Sequence, residues 1–210
     1  MILWAIVPFK SLRQGKSRLN GALAAEDRAT LSRELLTRTL ELLLAAEPVR
    51  QTVLVSRDEE ALALARRLGA GAVEEMLPRD LNRALAQATR HVAARGASAV
   101  LILPADLPLL SEAEIQAVCA CANEPPAVVL SPDRRQDGTN ALLVSPPGLI
   151  EYSFGTASYG RHLERARQAG ARLAVCDLPG LALDIDLPED LDLLPAGRSA
   201  SWRPSRRSSA

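Results

Sequence analysis

The segment AVLILPADLPLL, Ala99 to Leu110, reads as a strand that stops at an acid. Val100, Leu101, Ile102 and Leu103 form a short apolar run without polar alternation, the pattern of a strand buried on both faces in a parallel sheet. Pro104 and Pro108 stiffen the chain on either side of Asp106. The acid is therefore expected just beyond the strand's carboxyl end, where open α/β sheets bind their ligands. Capping of the next helix is already provided for by Ser111 with Glu114, which leaves Asp106 free for a ligand or a metal.

Working outward, 210 residues with 48% hydrophobic content are enough for one good core, and a single domain is expected over residues 1–194. The formal net charge is zero, so no global field draws nucleic acid or an anionic membrane, and anion binding must be local. The opening MILWAIVPFK lacks the length and basic flank of a signal peptide, and no run approaches a membrane span, which predicts a cytoplasmic protein. Cys119, Cys121 and Cys176 suit neither a disulfide framework nor a zinc site and are expected as reduced thiols.

Ile2 to Val7 reads as the first strand. It runs into a loop where Lys10, Arg13, Lys16 and Arg18 surround Gly15, the composition of a polyphosphate cradle at a strand's carboxyl end. Gly15-Lys16-Ser17 matches the end of the nucleotide-binding phosphate loop, but that motif needs a glycine where this chain has Lys10, and Asn20-Gly21 interrupts the helix that should follow. Leucines at 31, 35, 36, 40 and 43 predict a helix from Ala24 to Ala46. Next come a strand from Gln51 to Ser56, a helix between Asp58 and Gly69, a strand from Ala72 to Glu74, and a helix whose first turn holds Asn82. Asn82 either faces a nucleotide or is an ordinary polar residue there.

After the central strand, a helix from Ser111 to Asn123 precedes strands Ala127 to Ser131 and Ala141 to Val144, an antiparallel excursion on a mostly parallel sheet. The loop between them ends in Asp137-Gly138-Thr139-Asn140, and Phe154-Gly155-Thr156-Ala157-Ser158 precedes a helix from His162 to Ala169. Both supply small residues and donors suited to an anion. His91 and His162 carry nothing that marks them as catalytic. The last long strand, Arg172 to Asp177, leads to Asp184-Ile185-Asp186, where an extended chain would turn both acids to one face, toward Asp106 and a divalent cation. Asp186, with Glu189 three residues on, also fits a helix cap. Pro195 to Ala210 has the composition of a disordered tail.

No nucleophile and base pair is evident, which points to direct transfer catalysed by positioning and charge neutralisation. Taken jointly, Val7-Pro8-Phe9-Lys10, Gly15-Lys16-Ser17-Arg18-Leu19, Leu81-Asn82, Pro104-Ala105-Asp106-Leu107-Pro108, Asp137-Gly138-Thr139-Asn140, Phe154-Gly155 with Ser158, and Asp184-Ile185-Asp186 give the chain a family likeness. It resembles the guanylyltransferases of deazaflavin coenzyme F420 biosynthesis, which activate phosphoenolpyruvate or 2-phospho-L-lactate with GTP. The resemblance implies a single-domain α/β fold of the nucleotide-diphospho-sugar-transferase kind. It further implies Mg²⁺ held by Asp106, Asp184 and Asp186, and the phosphorylated acid held by Thr139, Gly155 and Ser158. GTP would lie on Lys10, Gly15, Lys16, Arg18 and Asn82, with Lys16 and Asp106 in the catalytic roles. GTP and a small phosphorylated carboxylic acid are the partners implied, and a homodimer is allowed. Two other readings are a relative using another nucleotide or acceptor, of molybdenum-cofactor or sugar-phosphate type, and a receiver-like binding module. The receiver reading needs an acidic pair after the first strand, where this chain has Lys10 and Lys16.

Overall fold

The computed structural model describes residues 1–13, 15–77, 80–122 and 124–194. The residues expected as a tail, from Pro195 on, lie outside the described residues. The uninterrupted apolar runs become the middle of a sheet: β1 (Leu3–Phe9), β2 (Val49–Ser56), β3 (Gly71–Glu74), β4 (Ala99–Ile102), β5 (Ala127–Pro132), β6 (Thr139–Ser145) and β7 (Arg172–Val175). Their spatial order is β3-β2-β1-β4-β6-β5-β7. β6 alone runs antiparallel, paired with β4 on one side and β5 on the other. All four residues of β4 are buried, as expected of a strand covered on both faces.

Alternate residues of each strand enter opposite layers. Leu3, Ala5, Val7 and Leu101 pack with Leu36, Leu40 and Leu43 of α1 (Ala25–Ala45) and with Ile115 and Val118 of α4 (Glu112–Ala120). Ile6, Val100 and Ile102 pack on the opposite face with Leu85, Ala88 and Val92 of α3 (Leu81–Ala93) and with Ala166 of α5 (Ser158–Gln168). Each fully buried leucine or valine contributes about 1.5–3 kcal/mol relative to exposure, so the two layers hold the sheet rigid beneath its carboxyl ends.

Local signals set the boundaries. Asp58 caps α2 (Glu59–Leu68) by accepting from the backbone N–H of Glu60 and Ala61, and Gly69 ends it at φ 95°. The other Asp58 oxygen accepts from Leu12 N at 2.8 Å, so this cap also ties down the start of the basic loop. These backbone donors outweigh the burial of Asp58 and hold its carboxyl below the usual range. Ser111 and Glu114 form the expected capping box of α4. Gly180, in the short helix α6 (Pro179–Ala182), lies against it: a Cβ there would meet the Glu114 carboxylate at 2.5 Å.

Four expectations need correction. Thr139 and Asn140 belong to β6 and not to the preceding loop, because Thr139 pairs with Pro132 across a register shift. Helix α5 begins at Ser158, one turn before His162, because Asp137 receives the N–H of Ala157 on its carboxylate and that of Tyr159 on its carbonyl. β7 stops at Val175, a short edge strand. Asp186 is not the cap of α7 (Pro188–Asp192): Asp190 reaches back to accept from Asp186 N at 2.9 Å and Leu187 N at 2.7 Å. Burial opposes the Asp190 charge, but these donors and Arg134 Nη2, 2.6 Å away, lower its pKa.

The three cysteines are free, with Cys121 Sγ and Cys176 Sγ 3.1 Å apart. Among the described residues no helix is long and apolar enough to cross a membrane.

Candidate active site

The carboxyl ends of β1 and β4 lie side by side, because β1 pairs with β4 in register from Leu3 opposite Ala99 to Ile6 opposite Ile102. The basic loop after β1 and the Pro104–Pro108 segment after β4 therefore share one rim. Between them and the start of α3 opens a cavity of about 480 Å³, lined in part by Lys10, Gly15, Lys16, Arg57, Glu75 and Asp106. Gly15 allows the loop to fold on itself, since a Cβ there would stand 2.6 Å from the Ser11 carbonyl oxygen. Lys16 then takes a left-handed conformation, φ 53°, which turns its side chain inward. Its Nζ donates to the Ile185 carbonyl at 2.6 Å and stands 3.5 Å from Asp106 Oδ2. Only 11% of that side chain is exposed, so the charge is held at the rim and not in bulk solvent.

The acids are delivered by the segment after α6. Ile185 is fully buried and its N–H donates to the Asp106 carbonyl at 3.0 Å, which aligns residues 184–186 with the end of β4. Asp184 receives Asn140 Nδ2 at 3.4 Å. Burial, and then the charge of Asp106, push the Asp184 carboxyl above the usual range. Asp186 instead pairs with Arg18, Nη1 to Oδ2 2.5 Å. The expected convergence of three carboxylates is thus drawn as a pair, Asp106 with Asp184, because Arg18 holds the third. Among the described residues no group of three or more His, Cys, Asp or Glu is arranged to hold a metal ion. The pair itself fits a hard divalent cation: two repelling carboxylates, both half-buried, suit Mg²⁺, which commonly takes one or two protein acids and completes its shell with phosphate and water.

Across the sheet, β6 and α5 build a second, neutral site. Thr139 Oγ1 lies 3.0 Å from His162 Nδ1 and receives Ser158 Oγ at 3.2 Å, all three residues being buried. His162 Nε2 accepts from Ser153 N at 2.9 Å. Burial first, then Arg165 and Arg161, lower the His162 pKa to about 4. Gly155 takes φ 115°, a conformation open to glycine, and its exposed backbone passes beside the Arg161 guanidinium, which donates to the Ser153 carbonyl at 2.8 Å.

Asn82, open in sequence between a nucleotide contact and an ordinary polar residue, has its amide engaged within the protein. Its Oδ1 accepts from Phe154 N at 2.7 Å and its Nδ2 donates to Phe154 O at 3.3 Å, so both ends of the amide grip the loop carrying Gly155. The structure thus brings Lys10, Gly15, Lys16 and Asp106 to one cavity and Thr139, Gly155 and Ser158 to the neighbouring loop and helix, while Arg18 and Asp186 pair at the edge. His162 and Arg161 went unmarked in the sequence. The available signal was spacing: Ser158 and His162 stand four apart and share a helical face.

A family model described as guanylyl transferase CofC like matches residues 3–199. The chain belongs to that family. A family member from Rubrobacter xylanophilus, phosphoenolpyruvate guanylyltransferase, is 43% identical over 98% of this chain and all of its own length. A 2-phospho-L-lactate guanylyltransferase from Methanothermobacter thermautotrophicus is 33% identical over 89% of this chain and 81% of that protein. Among solved structures, one from Desulfovibrio desulfuricans G20 assigned to the nucleotide-diphospho-sugar transferases superposes with a TM-score of 0.76. It covers 96% of this chain and 93% of that one at 16% identity, which establishes the common fold and no more.

Proposed function

We propose that the chain transfers a guanylyl group from GTP to phosphoenolpyruvate, with 2-phospho-L-lactate as the related acceptor, releasing pyrophosphate and yielding the activated intermediate of coenzyme F420 biosynthesis. The observation that carries this reading is the shared rim: Lys16 against Asp106 beside the cavity, with the Thr139 and Ser158 hydroxyls on the neighbouring β6 and α5. Family membership supports GTP as the donor, and the greater identity to the phosphoenolpyruvate enzyme favours that acid.

In the reaction an acceptor phosphate oxygen forms a bond to the α-phosphorus of GTP as the bond to the β-phosphate oxygen breaks. Both reactants are polyanions, and each unit-charge pair at about 4 Å repels by roughly 4 kcal/mol at an effective dielectric of 20. Lys16, with Lys10 and Arg18 around it, offsets this on the triphosphate. Thr139, Ser158 and the Gly155 backbone hold the acceptor in line and contribute orientation. Mg²⁺, held by Asp106 and Asp184 with Asp186 released from Arg18 as the third candidate, would neutralise phosphate charge. Residues 1–194 form the nucleotidyltransferase domain in this proposal.

The two acids differ by a planar double bond against a tetrahedral carbon with a methyl group, so their discrimination rests on shape and is expected at roughly 1–3 kcal/mol, a preference and not an exclusion. Purified protein is assayed for pyrophosphate release with Mg²⁺, each of the four nucleoside triphosphates and each acid. Release with GTP and phosphoenolpyruvate is expected. Release with the lactate compound alone overturns only the acceptor preference, release with another nucleotide overturns the donor, and no release with either acid overturns the function.

A further inference from the structure

His162 is fully buried, and both of its ring nitrogens have partners that constrain its proton. The Ser153 backbone N–H can only donate, so Nε2, 2.9 Å away, carries no hydrogen. A neutral ring must then carry its one proton on Nδ1, which faces Thr139 Oγ1 at 3.0 Å and donates to it. Ser158 Oγ donates to the same oxygen from 3.2 Å. A hydroxyl oxygen has two lone pairs and one proton, and here both lone pairs are engaged. The Thr139 hydrogen is left with the remaining tetrahedral direction, away from His162 and Ser158.

We propose that His162 is a positioning residue: by fixing its own tautomer through Ser153, it makes the Thr139 hydroxyl an obligate donor toward the phosphorylated acid. This rests on the reading of Thr139 and Ser158 as the acceptor site. A threonine hydroxyl by itself donates or accepts with equal ease, and half of that freedom is wasted on an anion, which only accepts. The imidazole removes the wrong half before substrate arrives, which is the meaning of preorganisation at a binding site. Holding the ring neutral is part of the device, since a second ring proton on Nε2 would point at the Ser153 N–H. Burial and the flanking Arg161 and Arg165 oppose that proton.

The test separates this role from simple packing. His162→Leu fills the space without a donor, whereas His162→Asn places an amide N–H near the position of Nδ1. The leucine variant is expected to raise KM for the acid about threefold to tenfold, because the Thr139 hydroxyl remains but must be oriented at the moment of binding, with KM for GTP within twofold. The asparagine variant is expected to restore much of the loss. Combined with Thr139→Val, His162→Leu is expected to add little, because the histidine acts through that hydroxyl. Equal increases in both KM values, or additive losses in the double variant, overturn the proposal. In parallel, ¹⁵N-imidazole NMR of the wild-type protein at pH 7 reads the tautomer directly. A protonated Nδ1 with a bare Nε2 is expected, and the opposite tautomer overturns the proposal whether or not the protein turns over. Wild-type protein without pyrophosphate release with either acid, but with the expected tautomer, refutes the proposed reaction and leaves the hydroxyl assignment standing on the spectrum.

Discussion

The two halves of the rim, each proposed to hold an anion, are built in opposite ways. At the β1 and β4 end, full charges face one another: Lys16 with Asp106, and Arg18 with Asp186. At the β6 and α5 end, Thr139, Ser158 and neutral His162 form a buried chain of hydrogen bonds, with Arg161 alongside. In the proposed reaction the charged end exchanges its internal ion pairs for ligand contacts. The neutral end already has its donor set in place. In the proposed reaction strength and discrimination are therefore housed separately: long-range charge would capture the triphosphate, and fixed hydroxyls would read the shape of the small acid.

The sharpest way to break this division is to remove charge from the acidic pair. Asp106→Asn or Asp184→Asn is expected to lower turnover by about a thousandfold or more, measured as pyrophosphate release at saturating Mg²⁺. Asp184→Asn is also expected to hold or raise the melting temperature, since it removes a half-buried charge that Asp106 already repels. Next in size, Lys16→Ala is expected to reduce kcat/KM for GTP by about a hundredfold and to leave KM for the acid nearly unchanged.

Acid sensitivity should belong to the neutral end. His162 titrates near 6.5 when unfolded and at about 4 when folded, so between those values the unfolded chain binds the extra proton. Stability is therefore complete above pH 6.5 and falls as the pH drops toward 4, by about 3 kcal/mol at most. Denaturant titrations at pH 7 and pH 4.5 measure this, and His162→Leu is expected to flatten the difference. The smallest effect should come from the exposed Arg18 and Asp186 pair, with side chains 68% and 41% exposed. Arg18→Ala is expected to change stability by under about 1 kcal/mol. Asp186→Asn then decides the number of acids that matter: activity within tenfold of wild type leaves Asp106 and Asp184 as the pair, and loss comparable to Asp184→Asn restores the triad.

What the sequence revealed, and what it hid, divides along similar lines. β4, α2 with its Asp58 and Gly69 caps, and the Ser111 and Glu114 box were legible because each depends on residues a few positions apart. Lys16 and Asp106 were legible because each follows a buried strand, and strand ends converge in a parallel sheet. Distant pairing hid the rest. Nothing local tells that Asp190 and not Asp186 turns back to cap α7, since both are acids near the same proline. Asn82 was open between a nucleotide contact and an ordinary polar residue, and only a loop 72 residues away shows where its amide is engaged. His162 looked idle because the partners that set its proton lie on β6 and on the loop after it.

The contact between Lys16 and the Ile185 carbonyl spans 169 residues, and Ile185 in turn anchors to Asp106. Leu19, Leu23, Leu31 and Leu35 likewise find Leu183, Ile185, Leu191 and Leu194 only from the far end of the domain. Chains fold as they leave the ribosome, N-terminal parts first. β1, β2, β3 and β4 can therefore pair while later segments are still being made, yet the rim around Lys16 and Asp106 closes only when residues 183–194 emerge. A nascent chain stopped before residue 183 holds the basic loop and Asp106 without Asp184 or Asp186, so the proposed centre is completed only after all seven strands have been made.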